Sequence, residues 1–330
     1  MKFAICVLVT FCLCVSFTVH AHETLTTTVL FDREIVRVIN KHCVMCHTEN
    51  GPSVPLETYE QTWLQGRKIR SEIIARHMPP WPAVPGYGQF ANDNSLTLRE
   101  TQFVVSWVEG LGPRNSGTVF TNVIDTSGKP REAVRAKADF GHWQLGKPNL
   151  TVPFKNKVAD LGLKEPRRIR AIEYMPGDRH SLHAAFFKIQ ETGQWIGAWT
   201  PWYGFIELPA AVAFQLPSGA HIVSDSADSG TLGLFFADKP TPNTMSDLVV
   251  NSKTTIASDM HAVALRLEIS KEVKSVEVSA RRLDGGTDVL LFAKDFQPDW
   301  PTPYIFKEPV LLRRGTVLSV TTGKLTVSKY

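Results

Sequence analysis

The run Cys43-Val44-Met45-Cys46-His47 constrains this chain more than any other feature of its sequence. The chain has five cysteines, and the three outside this run lie in the apolar stretch at the N-terminus. They are Cys6, Cys12 and Cys14. Once that stretch is removed, two cysteines remain, which are too few for the disulfide framework of a small secreted protein. The remaining pair therefore needs another explanation.

The spacing of Cys43 and Cys46, with His47 directly after them, is typical of covalent haem attachment. Two thiols three positions apart can add to the two vinyl groups of one porphyrin, and a histidine directly after them points its imidazole at the iron. Cys43 and Cys46 are therefore predicted to attach one haem c covalently, with His47 as an axial iron ligand. A redox-active disulfide usually follows a strand of a βαβ unit, which this sequence does not predict. Half of a zinc site is the other alternative, but no second cysteine pair exists.

A sixth iron ligand is expected in the run from Arg76 to Trp81, which reads RHMPPW. We favour Met78, because a thioether ligand raises the haem potential and the prolines that follow hold it on a stiff, non-helical segment. His77 is the rival ligand. Trp81 is expected to pack near the haem pocket, and His42 is expected to be exposed rather than a ligand.

Three helices are predicted around these residues. Apolar residues recur at helical spacing over residues 32–41, and this helix leads into the two cysteines. Helices over about 58–77 and 97–110 each begin with a capping box, in which a threonine is followed three residues later by Gln or Glu. Residues 22–113 are therefore predicted to form a small all-α cytochrome c domain.

Beyond a linker at 114–141, the pattern changes from helical spacing to alternation. Apolar and polar residues alternate strictly over Val263–Ile269, which predicts a half-buried antiparallel strand. Shorter strands are predicted at Ala184–Ile189 and Trp195–Trp199. The chain is therefore multidomain, with an all-β sandwich region after the helical domain. We expect two jelly-roll-like sandwiches, at 142–245 and, in truncated form, at 246–330.

The N-terminus predicts export. Lys2 precedes an apolar stretch, and Val19-His20-Ala21 offers a small-residue cleavage site, so residues 1–21 are predicted to be a signal peptide. The stretch is short for a membrane span and no second one follows, so no stable span is expected after cleavage, with an uncleaved anchor as the alternative. A periplasmic or secreted location follows. The net charge of +4 is spread without a basic run, so nucleic acid is not an implied partner.

Histidines recur in the β region, and imidazole is a preferred ligand of copper. They are His142, His180, His183, His221 and His261. His180 and His183 stand three apart, and such positions face opposite sides of a strand. Both bind one metal only if a turn lies between them. Isolated surface or hydrogen-bonded histidines are the simpler interpretation.

These residues carry a family resemblance. The cysteine run, Leu56–Glu60, Met78–Trp81 and Tyr87–Asp93 resemble the haem domain of bacterial cytochrome c proteins. In those proteins it is fused to a copper type II, ascorbate-dependent (peptidylglycine) monooxygenase-like domain. The resemblance continues downstream in Trp143–Pro148, His183 with its strand, Leu216–Gly219 and Met260-His261. The haem motifs are specific, and the downstream ones are weaker.

The resemblance implies two β-sandwiches that each hold one copper in the complete enzymes. The first site uses an adjacent His pair and a later His. His183 matches one member of the pair, Ala184 falls on the other, and the position of the later His falls near Ser226-Ala227-Asp228, where no histidine stands. The second uses His-x-His and a later Met. Here only His261 matches, and no methionine follows Met260. His183, His261 and Met260 are the copper ligand candidates that remain, and copper binding at such incomplete sites is doubtful.

The sequence therefore predicts an exported monohaem c-type cytochrome that transfers electrons and carries a degenerate copper-monooxygenase-like module. Its partner is expected to be a redox protein or a small electron donor or acceptor. A haem-coupled copper-dependent monooxygenase with altered ligands is the alternative, so enzymatic activity stays open. In a third interpretation the β region is a tethered binding module, and its removal at about residue 141 leaves electron transfer unchanged.

Overall fold

The computed structural model describes residues 27–51, 53–116, 141–154, 156–179, 182–225 and 229–330. The described chain is mostly β-sheet, with a small helical part that precedes the strands. The predicted signal peptide, most of the predicted linker, His180 and residues 226–228 lie outside the described residues. No described helix has the length and apolar character needed to cross a membrane.

The helical part contains one π-helical turn, Phe31–Ile35, and four α-helices. These are α1 (Val36–His42), α2 (Tyr59–Leu64), α3 (Gly66–Ile74) and α4 (Leu98–Glu109). Both predicted capping boxes are confirmed, at the starts of α2 and α4. The single helix predicted over 58–77 is wrong: the backbone leaves helical geometry at Gln65, and α2 and α3 are separate. The buried side of these helices includes Phe31, Ile39 and Trp107.

The first group of strands forms two facing sheets. The strands are β1 (Leu150–Pro153), β2 (Val158–Asp160), β3 (Arg167–Met175), β4 (Ala185–Ile189), β5 (Trp195–Trp199), β6 (Phe205–Glu207), β7 (Val212–Leu216), β8 (His221–Ser224), β9 (Thr231–Phe236) and β10 (Asn243–Thr244). One sheet has the order β1-β9-β3-β7-β10 with β6 beside β3, and the other has the order β2-β8-β4-β5. Their inner side chains share one core, so we call this pair the first sandwich. The strands predicted at 184–189 and 195–199 are confirmed as β4 and β5.

The remaining strands form a second pair of sheets. They are β11 (Ser246–Val250), β12 (Lys253–Thr255), β13 (Met260–Glu268), β14 (Val273–Arg281), β15 (Thr287–Phe296), β16 (Tyr304–Leu312), β17 (Val317–Val320) and β18 (Lys324–Lys329). Their orders are β11-β18-β13-β16 and β12-β17-β14-β15. These sheets enclose a separate core, so we call this pair the second sandwich.

The two sandwiches pack against each other, and this corrects one prediction. Strand β13 is antiparallel to β16 and β18 as expected, but it is buried on both faces rather than one. Val263 joins the core of the first sandwich, whereas Leu265 joins that of the second. Arg266 on its expected solvent face is only 8% exposed, because it pairs with Asp247 at 2.7 Å and lies over the ring of Trp195.

Residues 81–94, which we call the anchor segment, run from the helical part into the second sandwich. Val84 N donates to Phe292 O on β15 at 2.8 Å, and Ala91 N donates to Ile305 O on β16 at 2.7 Å. Trp81 belongs to the core of the second sandwich. The prediction that Trp81 packs near the haem pocket is corrected in one respect: the apolar core of the second sandwich buries its ring, so the ring does not face the predicted haem ligands.

Candidate functional site

A cavity of about 520 Å³ brings together the four residues predicted to hold the haem. Cys43, Cys46 and His47 line it from the end of α1, and Met78 lines it from the segment after α3. Apolar side chains form much of the remaining wall: Val54, Leu56, Ile69, Ile73, Pro79 and Leu96. The volume lies within the range of small-molecule and cofactor pockets, and an apolar wall suits a porphyrin.

The end of α1 shapes the cysteine run. Cys43 is the C-terminal cap of that helix, and both Cys46 N and His47 N donate to Cys43 O, at 3.1 and 3.0 Å. His47 Nδ1 lies 2.8 Å from the backbone oxygen of Val54, so it carries the proton of the neutral ring. Nε2 is then the nitrogen left for a metal, which is the usual arrangement of a ligating histidine.

The charge states of these groups agree with an enclosed site. Burial raises the pKa of Cys43 to about 12, and the neighbouring Cys46 adds to the effect. Burial also raises the pKa of Cys46 to about 11, against the opposing charge of Arg179. A redox-active C-x-x-C site instead has a thiol of lowered pKa. Burial lowers the pKa of His47 and so favours the neutral imidazole that a metal requires.

The two rival sixth ligands lie in different places. Met78 is half-buried and lines the cavity, whereas the neighbouring His77 does not line it. The His77 side chain is 55% exposed, and its Nδ1 lies 3.1 Å from a carboxylate oxygen of Glu72. The arrangement therefore favours Met78 over His77.

His42 is buried, which corrects the expectation that it is exposed. It is 5% exposed, and its Nδ1 lies 3.2 Å from the backbone oxygen of Asn94. Its Nε2 lies 3.3 Å from a carboxylate oxygen of Glu100 in α4. Its position on the last turn of α1 turns the ring towards α4 and Asn94. His42 therefore connects α1, α4 and the end of the anchor segment.

Two tryptophans of the β region also line the cavity, and the sequence did not point to them. Trp202 comes from the turn after β5, and Trp300 comes from the loop between β15 and β16. Trp202 Nε1 donates to the backbone oxygen of Asn92 at 3.1 Å. No local motif marks either residue, because each reaches the cavity only through the packing of the sandwiches against the helical part.

The copper candidates are not brought together. His183 stacks on Trp300 with ring centroids 4.1 Å apart, and His261 stacks on Tyr330 at 5.0 Å. Met260 is buried in the core of the second sandwich. Over the residues that the structure describes, no three or more His, Cys, Asp or Glu side chains form a group that could hold a metal ion.

His221 is separate from these residues. Its Nδ1 lies 2.8 Å from a carboxylate oxygen of Glu191, and this hydrogen bond raises the pKa of His221. His221 is the first residue of β8, and Glu191 lies in the turn after β4. Its contact with Glu191 accounts for this histidine without a metal.

Comparisons with known proteins leave the family open. No protein-family model matches this sequence. No curated protein matches it either. Among solved structures, a structure of allantoicase is similar over 52% of this chain and 72% of that chain, with 10% sequence identity and a TM-score of 0.17. A similarity that low carries no argument about fold or function.

Proposed function

We propose that this chain is an exported monohaem c-type cytochrome that transfers electrons. One observation supports it: a single cavity is lined by Cys43, Cys46, His47 and Met78, although Met78 comes from a separate stretch of chain. Bound haem supplies a one-electron couple. We also propose that the chain is related to haem domains fused to copper-monooxygenase-like domains, that its sandwiches are jelly rolls, and that residues 1–21 direct its export.

Each residue has a distinct role in this proposal. Cys43 and Cys46 hold the porphyrin through thioether bonds, so the cofactor is retained outside the cell. His47 offers Nε2 while Val54 fixes the ring through Nδ1. Met78 offers its thioether and completes the ligand set, which favours electron transfer over chemistry at an open iron position. The apolar part of the wall limits contact of the haem with water, which also favours a high potential.

Metal content tests the proposal first. The purified full-length chain, expressed with haem-attachment machinery, is expected to contain about one iron and negligible copper, with the haem retained after denaturation. Cys43→Ser with Cys46→Ser is expected to abolish that covalent attachment. Protein without iron would refute the proposal, and copper at one or two per iron would favour the monooxygenase alternative.

The sixth ligand has its own test, with a matched control. Met78→Ala is expected to lower the midpoint potential, because a thioether ligand raises it. Met45→Ala is the control, since Met45 also lines the cavity but is not assigned to the iron. His77→Ala is expected to leave the spectrum unchanged. A spectrum that changes with His77→Ala and not with Met78→Ala would transfer the role to His77.

A further inference from the structure

The anchor segment begins close to Met78. Only Pro79 and Pro80 separate Met78 from Trp81, and each proline has a fixed φ angle, so this connection has little freedom. On its other side, Met78 is four residues past Ile74, the last residue of α3. Met78 therefore lies between a helix of the haem cavity and a segment that the second sandwich holds.

We infer that the second sandwich sets the position of Met78 through the anchor segment, with Trp81 and Asn92 as positioning residues. This inference rests on the proposed function, because it concerns the same iron ligand. It assigns the β region a part in the haem site, which a tethered module would not have.

Trp81 anchors the near end of the segment. It is 5% exposed, and its ring packs on Tyr304 with centroids 5.4 Å apart and on Phe90 at 6.0 Å. Tyr304 is the first residue of β16. Because the link to Met78 is short and stiff, any shift of Trp81 out of this core moves the thioether as well.

Asn92 anchors the far end and joins three parts of the chain. It is 2% exposed, and its Nδ2 donates to the backbone oxygen of Pro303 at 2.6 Å. Its Oδ1 accepts from Ile305 N at 3.1 Å. Its backbone oxygen accepts from Trp202, which follows β5 of the first sandwich, packs on the core of the second and itself lines the haem cavity. Loss of the Asn92 side chain leaves buried groups of Pro303 and Ile305 without these partners, so the segment should loosen.

The chain offers a matched control for Asn92. Asp247 also joins the two sandwiches through several hydrogen bonds, but none of its partners belongs to the anchor segment. Its carboxylate accepts from Gln194 Nε2, Arg266 and Ser328 Oγ, at 3.1, 2.7 and 2.7 Å. Asp247→Asn therefore weakens the contact between the sandwiches without touching the residues around Met78.

The experiment compares Asn92→Ala, Trp81→Ala, Trp81→Phe and Asp247→Asn in the full-length holoprotein. We expect Asn92→Ala and Trp81→Ala to keep covalent haem but to lower the midpoint potential and weaken the absorption of the methionine–iron bond. Trp81→Phe retains an aromatic ring against Tyr304 and is expected to restore most of both signals. Asp247→Asn is expected to lower the unfolding temperature with an unchanged potential.

A second measurement does not depend on haem. In the haem-free chain, Asn92→Ala is expected to increase amide hydrogen exchange over residues 77–94, and Asp247→Asn is expected to leave that region as it is. Equal exchange in both variants, or a potential that falls equally in both, would overturn the inference. Wild-type protein without haem would instead refute the proposed function, and the exchange measurement would still decide whether the second sandwich holds this segment.

Discussion

Trp202 Nε1 donates a hydrogen bond of 3.1 Å to the backbone oxygen of Asn92. Trp202 follows β5 of the first sandwich, packs on the core of the second and lines the cavity, while the Asn92 side chain accepts a hydrogen bond from Ile305 N of β16. One bond thus connects the cavity wall with both sandwiches. The helical part and the β region are packed as one structure, which argues against a haem domain with an independent module attached.

Removal of the β region is therefore expected to destabilise the helical part. A fragment of residues 27–116 keeps the core around Ile39 and Trp107, but it exposes Trp81 and Phe90 and loses the cavity wall that Trp202 and Trp300 supply. Thermal unfolding followed by circular dichroism is expected to show a broad transition well below that of the full chain, with aggregation seen in sedimentation. A sharp transition at the same temperature would support the tethered-module interpretation instead.

Substitution of two glycines in the anchor segment tests how closely this segment packs on β15, with one glycine as the control for the other. Gly86 and Gly88 both have positive φ angles, of 96° and 79°, so alanine is strained at either position. A Cβ at Gly88 would clash with the backbone oxygen of Leu290 in β15, whereas a Cβ at Gly86 meets nothing within 4 Å. Gly88→Ala is expected to destabilise the protein by about 1–3 kcal/mol more than Gly86→Ala. Urea unfolding measures the difference, and equal losses would mean that the segment does not pack on β15.

Tyr304 offers a stabilising substitution. Its hydroxyl is buried in the second sandwich without a hydrogen-bond partner among the described residues, and burial raises its pKa. Tyr304→Phe removes that unsatisfied group and is expected to stabilise the protein by about 1 kcal/mol. The control is Tyr59→Phe, which loses a 2.9 Å hydrogen bond to Gly112 O and is expected to cost about 1 kcal/mol. Chemical denaturation measures the stability of both variants. A Tyr304→Phe protein less stable than the Tyr59→Phe protein would contradict the interpretation that the Tyr304 hydroxyl is unsatisfied.

Glu100 is expected to make stability depend on acid pH. Burial would raise its pKa, but hydrogen bonds from Thr97 and Lys41, together with nearby His42, lower it from 4.5 to about 2. A lowered folded-state pKa contributes stability above about pH 4.5, and this contribution is lost as the pH falls towards 2. Glu100→Gln is therefore expected to be less stable than wild type at pH 7 and to converge with it near pH 2.

The control for Glu100 is Glu109→Gln. Glu109 also lies in α4, but its pair with Arg70 is substantially exposed and solvent screens it. Its stability curve is expected to follow wild type between pH 7 and pH 2. A constant gap between Glu100→Gln and wild type across this range would show that the Glu100 carboxylate is not the titrating group.

Local chemistry made several elements predictable. The capping boxes at Thr58 and Thr97 depend on side chains three residues apart, so the sequence alone places both helix starts. The strand at Trp195–Trp199 follows from a short apolar run between turn residues. The break at Gln65 was harder to predict, because apolar spacing continues across it and Gly66 alone marks the interruption.

The sequence by itself determined which residues we propose for haem attachment, because two thiols and an imidazole must stand at fixed spacing to reach one porphyrin. Only the tertiary structure decided what surrounds them. No local signal assigns Trp81 to one core or the other, and the structure buries it in the second sandwich rather than in the cavity wall. Arg266 alternates as a solvent-facing residue should, yet the first sandwich covers that face of β13. Periodicity predicts which residues share a face of a single strand or helix. Which of those faces contacts another part of the protein is decided only when the helices and sheets pack together.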